Sequence, residues 1–141
     1  PQKNLLNTKK YLDNLIHRSN QGDAYWWFIQ SKETSKVIGS FGMHEIDLRK
    51  GACEISYAIS PNYWGKGAFM EVLNMVLRTL FNDFNFHRVT AITSSENFRS
   101  INALKKVGFR EEGVFIDFYF DSEDRRFNAT SLALIAGQYN N

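Results

Sequence analysis

The stretch Ile59-Ser60-Pro61-Asn62-Tyr63-Trp64-Gly65-Lys66-Gly67-Ala68 decides the fold. Upstream of it, apolar residues fall in short runs of strand character. Downstream they recur at helical spacing. Pro61 keeps a strand from continuing, and two glycines open the helix that follows. The start of a helix presents N–H groups without intrahelical acceptors and carries a partial positive charge. Glycines let a ligand approach that backbone closely. The stretch therefore reads as a pyrophosphate cradle or, more plainly, as a turn. Other phosphate motifs fail on spacing. A dinucleotide fingerprint needs Gly or Ala three residues after Gly67, where Met70 stands. A Walker loop needs Gly-Lys followed by Ser or Thr, and Gly67 follows Gly65-Lys66. Nucleotide hydrolysis and dinucleotide redox chemistry drop out.

Working upstream, residues 52–59, 36–46 and 24–31 read as strands joined by turns at 47–51 and 31–35, an antiparallel meander. Residues 4–19 read as a helix with an apolar stripe through Leu5, Leu6, Leu12, Leu15 and Ile16. Downstream, apolar residues at 69, 73, 76, 77, 80 and 84 predict a helix over 65–84. Residues 88–94 form a β-branched strand. Residues 97–107 form a helix with Ile101, Leu104 and Val107 inward, stopped by Gly108. Residues 109–120 and 127–136 close as a hairpin across 121–124. This order predicts one α+β domain over 1–141: a mixed, mostly antiparallel central sheet with helices on both faces.

Composition narrows the function. The 141 residues are 43% hydrophobic and 23% charged, the balance of a soluble globular domain. No apolar run reaches the ~20 residues of a membrane span. Lys plus Arg is 17 against 15 Asp plus Glu, so the basic excess expected of a nucleic-acid binder is missing. The single cysteine, Cys53, excludes an internal disulfide and a cysteine-based zinc site, and fits a cytoplasmic protein. No metal is expected. The chain begins at Pro1 without a secretory signal pattern.

The second motif is Asn97-Phe98-Arg99-Ser100, followed by Leu104-Lys105-Lys106-Val107-Gly108-Phe109. Asn97 is suited to cap the helix, and Ser100 lies one turn in. Together with Tyr63-Trp64-Gly65-Lys66-Gly67-Ala68, with Ala52-Cys53-Glu54-Ile55-Ser56-Tyr57 and with Val37-Ile38-Gly39-Ser40-Phe41-Gly42, it resembles the GCN5-related N-acetyltransferases, nearest their RimJ/RimL-type branch. The resemblance runs from about Tyr25 to the end of the chain. It implies acetyl-CoA as acyl donor and an amine as acceptor, either a protein N-terminus or a small molecule. It implies a sheet splayed between strands 52–59 and 88–94, with the thioester arm in the splay. Trp64, Gly65, Lys66, Gly67, Ala68 and Phe69 correspond to the pyrophosphate loop. Asn97 corresponds to a contact on the pantetheine arm and Ser100 to a hydroxyl near the sulfur, a candidate acid for the departing thiolate. Lys66, Arg99, Lys105 and Lys106 are candidates for the cofactor's phosphates.

There are departures. The family usually opens with a further strand and helix, which this chain is expected to lack. Asn62 stands where Gln or Arg is frequent, which weakens a side-chain contact but not the backbone cradle. Leu104 occupies the position of a tyrosine proton donor found in some relatives.

Amide formation needs a neutral amine, so a base must take a proton from an ammonium of pKa about 10. Glu54 is the candidate, directly or through water. It shares a strand face with Ser56 and Ala58, while Cys53, Ile55, Tyr57 and Ile59 line the other. The alternative is a glutamate with a purely structural bond. The backbone N–H near Ile59 is the candidate oxyanion donor. His44 is a weaker candidate for a second base, and Asp117 and Tyr119 on the closing hairpin are weaker candidates for contacts to the acceptor. Cys53 reads as core rather than nucleophile. Tyr25, Trp26, Trp27 and Phe28 read as core and dimer contact, or else as a wall of the acceptor groove, so a homodimer is compatible with the sequence. A non-catalytic acyl-CoA-binding or sensor module is the alternative function.

Overall fold

A computed structural model of the chain describes residues 20–139. The helix expected at 4–19 lies outside the described residues. The elements are β1 (Ala24–Gln30), β2 (Val37–Asp47), β3 (Ala52–Ile59), α1 (Ala68–Arg78), β4 (Arg88–Ser94), α2 (Phe98–Lys106), β5 (Arg110–Phe120) and β6 (Arg126–Ile135). They build one six-stranded sheet in the order β1-β2-β3-β4-β6-β5. No helix among the described residues is long and apolar enough to cross a membrane.

Short turns join β1, β2 and β3, so these strands pair antiparallel. From the end of β3 the chain passes through α1 before returning to start β4. That crossover makes β3–β4 the parallel pair. The parallel ladder runs only from Ala52↔Arg88 to Ile55↔Ala91. Beyond it, β3 stays with β2 as far as Gly39↔Ile59 and β4 stays with β6 as far as Ser94↔Ala129. The two strands therefore part in mid-sheet.

Among the described residues, both α-helices pack on one face. Leu73 and Leu77 of α1 and Ile101 and Leu104 of α2 bury against Cys53, Ile55, Val89 and Leu134. In β3 the core residues Cys53 and Ile55 alternate with Glu54 and Ser56, as the period of two requires. Fully burying each such leucine stabilises the fold by roughly 2 kcal/mol.

Three expectations are corrected. The helix opening at 65 begins at Ala68, because Gly65 (φ +73°) and Gly67 (φ +82°) are left-handed and cannot lie within it. The apolar stripe shifts at its far end. After Arg78 the helix widens into a π-turn over Thr79–Asp83, which turns Leu80 and Phe81 inward and leaves Phe84 65% exposed. Tyr25, Trp27 and Phe28 are not core, since all three are exposed on β1, the end strand of the sheet among the described residues. Trp26 lies flat on His44, with ring centroids 5.9 Å apart. It fits only because Gly42 stands opposite, where a Cβ would lie 2.1 Å from the indole.

Candidate active site

The parting of β3 from β4 leaves backbone groups aimed into the gap. Ser60 N–H donates to Ile38 O at 2.8 Å, while Ile59 sits opposite Gly39. That one-residue offset marks Ile59–Gly39 as a non-hydrogen-bonded pair. By alternation Tyr57–Phe41 is another. The N–H and C=O of Tyr57 and Ile59 thus point away from β2, to the side from which β4 has withdrawn. Ile59 O is met there by the Trp64 indole Nε1–H at 2.8 Å.

Two spaces meet at this point. A cleft of about 630 Å³ lies on the helix side, between the ends of β3, α1 and α2. A smaller space of about 350 Å³ fills the gap between Ser56–Tyr57 and Ile92–Ser94. Tyr57 and Asn97 line both.

The floor of the cleft is the start of α1. Glu71 N–H makes the first intrahelical bond, to Gly67 O at 3.0 Å, so the amides of Ala68, Phe69 and Met70 precede any intrahelical acceptor. No side chain caps this end. A Cβ added at Gly65 or Gly67 would meet nothing within 4 Å. Both glycines therefore border open space, as a cradle for a bulky anion requires. Ile59, Trp64, Gly65, Gly67 and Phe69 line the cleft. Ala68, the first residue of α1, does not line it.

The cations divide. Arg99 and Lys106 line the cleft, and no Asp or Glu among the described residues does. The Arg99 guanidinium lies over the Trp64 ring, 4.6 Å from its centroid. Lys66 instead sits over Tyr63 at 5.7 Å and does not line the cleft. Lys105 is a correction. Arg99, Asn102 and Lys106 recur at helical spacing on the cleft face of α2, which turns Lys105 away to an ion pair with Glu111 at 2.7 Å.

Asn97 caps α2 as expected, its side-chain oxygen accepting from Ser100 N–H at 3.2 Å. Its amide nitrogen remains the group available to a ligand. Ser100 is buried, and its hydroxyl is bonded to that of Tyr57. Burial pushes the Tyr57 phenol up to about 12, only partly offset by this hydrogen bond. Sequence reading assigned Tyr57 to a core strand face and missed the hydroxyl. Its partner is 43 residues away, beyond any local signal.

Glu54 lies on the sheet face opposite the described helices. Its carboxylate is 3.9 Å from His44 Nε2, which is itself 2.6 Å from Ser56 Oγ. Ser56 lines the gap and Glu54 does not. Tyr119 closes the gap from β5, its O–H reaching Ile92 O at 3.4 Å. Its phenol titrates above the ordinary value, through burial first and then the charge of Glu54. Asp117 sits in a bulge at φ +52°, held by its N–H to Asn128 Oδ1 at 3.1 Å. Cys53 is buried and pushed up to about 12, by burial first and then by Glu54. It is an inert thiol.

A sheet parted over a glycine-flanked, uncapped helix start defines a class by its shape. The spermidine N-acetyltransferase of Vibrio cholerae, solved as an F149A mutant, superposes with a TM-score of 0.80 at 19% identity, covering 94% of this chain and 78% of that one. The shared class is the acetyltransferase fold.

The family model described as "Acetyltransferase (GNAT) domain" matches residues 1–110, and the chain belongs to the GNAT acetyltransferase family. It is 33% identical over 121 residues to the uncharacterized N-acetyltransferase p20 of Bacillus licheniformis, covering 86% of this chain and 67% of that protein. It is 28% identical over 107 residues to the [ribosomal protein uS5]-alanine N-acetyltransferase of Escherichia coli, covering 74% and 54%. The chain thus spans about two thirds or less of the length of these curated relatives.

Proposed function

We propose that this protein transfers the acetyl group of acetyl-CoA to a primary amine. The observation that carries the reading is the parting of β3 and β4 beside the uncapped start of α1. The amides of Ala68, Phe69 and Met70 bind the diphosphate, and Arg99 and Lys106 supply positive charge. Glycine at 65 and 67 keeps the approach open. The Asn97 amide donates to a carbonyl of the pantetheine arm, which the cleft leads towards the gap. The residues present fit this donor, whose thioester supplies the activated acetyl group.

The amine enters from the opposite sheet face, where Glu54, acting through water, takes the proton of its ammonium. A positioned base contributes roughly 10²–10⁴-fold. The N–H of Tyr57 or Ile59 donates to the oxygen on which charge develops. Holding both reactants in the gap supplies the remaining advantage. The acceptor we favour is an N-terminal amino group, as the RimJ/RimL resemblance and the uS5-alanine relative suggest. A polyamine is the second choice, supported by the spermidine enzyme of the same fold.

The test is coenzyme A binding by thermal shift, followed by thiol release with an alanine-terminated peptide and with spermidine. Stabilisation by coenzyme A together with release on one acceptor is expected. No stabilisation at millimolar ligand refutes the reading. Stabilisation without release on any amine leaves a binding module.

A further inference from the structure

Tyr57 on β3 and Ser100 on α2 meet where the cleft joins the gap. The Tyr57 ring is held on two sides, tilted against Phe69 at 4.4 Å and stacked on Phe41 at 5.8 Å. Phenylalanine would pack equally well there. A buried hydroxyl is unfavourable unless it is bonded, so its presence calls for an explanation other than packing. The two hydroxyls hold two hydrogens between them. One lies in the bond that joins them and the other is free to point elsewhere. A phenol is a stronger acid than an alkyl alcohol, so Tyr57 is the natural donor and Ser100 the acceptor.

We propose that Tyr57 is a positioning residue for acyl transfer: its O–H donates to Ser100 Oγ and turns the Ser100 hydrogen into the cleft, towards the sulfur of a bound thioester. This rests on the acetyl-transfer reading above. As the acceptor nitrogen bonds to the acetyl carbon, the carbon–sulfur bond breaks and its electron pair goes to sulfur. The nitrogen's proton passes to the Glu54 side of the gap. Ser100 donates to the developing thiolate without giving up its proton. Tyr57 also keeps its proton, because a thiol of pKa about 8.5 is a stronger acid than the phenol. The leaving group is stabilised by a hydrogen bond rather than by an acid, which dispenses with the tyrosine that Leu104 replaces in α2.

The test titrates the thiol of coenzyme A bound to the protein, followed by the ultraviolet absorbance of the thiolate. A hydrogen bond to a charged group at this strength lowers the thiol pKa by about one unit. In Y57F the bound thiol should titrate about one unit higher than in wild type, with coenzyme A affinity unchanged. In S100A it should rise as far or further, while S100T keeps the wild-type value. Y57F/S100A should titrate no higher than S100A, because the two act as one unit. With the active acceptor, Y57F should lose about tenfold in kcat at constant KM for acetyl-CoA. A Y57F titration equal to wild type, or losses in the two variants that add, overturns the proposal. A wild-type protein that fails to bind coenzyme A overturns the functional reading instead.

Discussion

Gly67→Ala separates the cost of a backbone conformation from the cost of blocking a ligand. Gly67 caps α1 at φ +82°, ψ −6°, where an L-residue is disfavoured by roughly 1–2 kcal/mol. Alanine also restricts the unfolded chain, which returns roughly 0.4–1 kcal/mol. The net loss is about 1 kcal/mol, a fall in Tm of about 4 °C for a chain of this size. No neighbour adds to it, since the new Cβ meets nothing within 4 Å. A diphosphate on the amides of Ala68–Met70 would meet that methyl group. Losing one amide-to-phosphate bond, about 1.5–3 kcal/mol, weakens Kd roughly 10- to 100-fold. Gly51→Ala is the control. It has φ +63° and a Cβ 3.2 Å from His87 N, and it lies just before β3, at the opposite end of that strand from the cleft. It should lose at least as much stability and bind coenzyme A normally. Calorimetric titration with coenzyme A gives both affinities. A G67A protein that loses about 4 °C and still binds at the wild-type Kd refutes the cradle.

Other expectations follow from single side chains. Glu54→Gln should lower kcat by about 10²-fold or more with coenzyme A affinity unchanged, read by thiol release; unaltered turnover across the pH range removes Glu54 as base. Stability should fall as pH rises from about 9 to 12, because Cys53 and Tyr57 keep their protons to about 12 in the fold but lose them from 9.0 and 10.0 when unfolded. The unfolded chain deprotonates first, so alkali favours it and stability is full below about pH 9; urea midpoints across that window give the slope. Gly42→Ala forces Trp26 off the sheet, since the new methyl lies 2.1 Å from the ring. It should cost roughly 1–3 kcal/mol and shift indole emission to the red. Leu77→Ala, at a fully buried position, should cost about 2–5 kcal/mol by chemical denaturation.

The succession of strands and helices along the chain, the antiparallel meander of β1, β2 and β3, and the helix-side core were legible because period and punctuation are local. Pro61, the glycine pair and Asn97 each act within a few residues, and each stands where its chemistry predicts. The parting of β3 from β4 entered through family resemblance, since a ladder's length is set by partners distant in sequence. What escaped notice depends on phase or on distance. The π-turn at Thr79–Asp83 moves Phe84 outward by a change no hydrophobic count detects. Lys105 and Lys106 are equivalent in composition, and only the phase of α2 gives the cleft to Lys106. Tyr57 looked like core because its ring is apolar, and the role of its hydroxyl depends on Ser100 coming close.

The short parallel ladder has a consequence for engineering. The sheet is two antiparallel leaves bound along a spine that ends at Ile55↔Ala91, both buried in the core. The width of the opening is therefore governed by how those two side chains fill the hinge line. Bulk added at Ala91 would pry the leaves apart and bulk removed at Ile55 would let them settle. Ala91 acts on the opening through packing alone, whereas Ile55 also lines the gap itself, so the two positions tune its size by different routes.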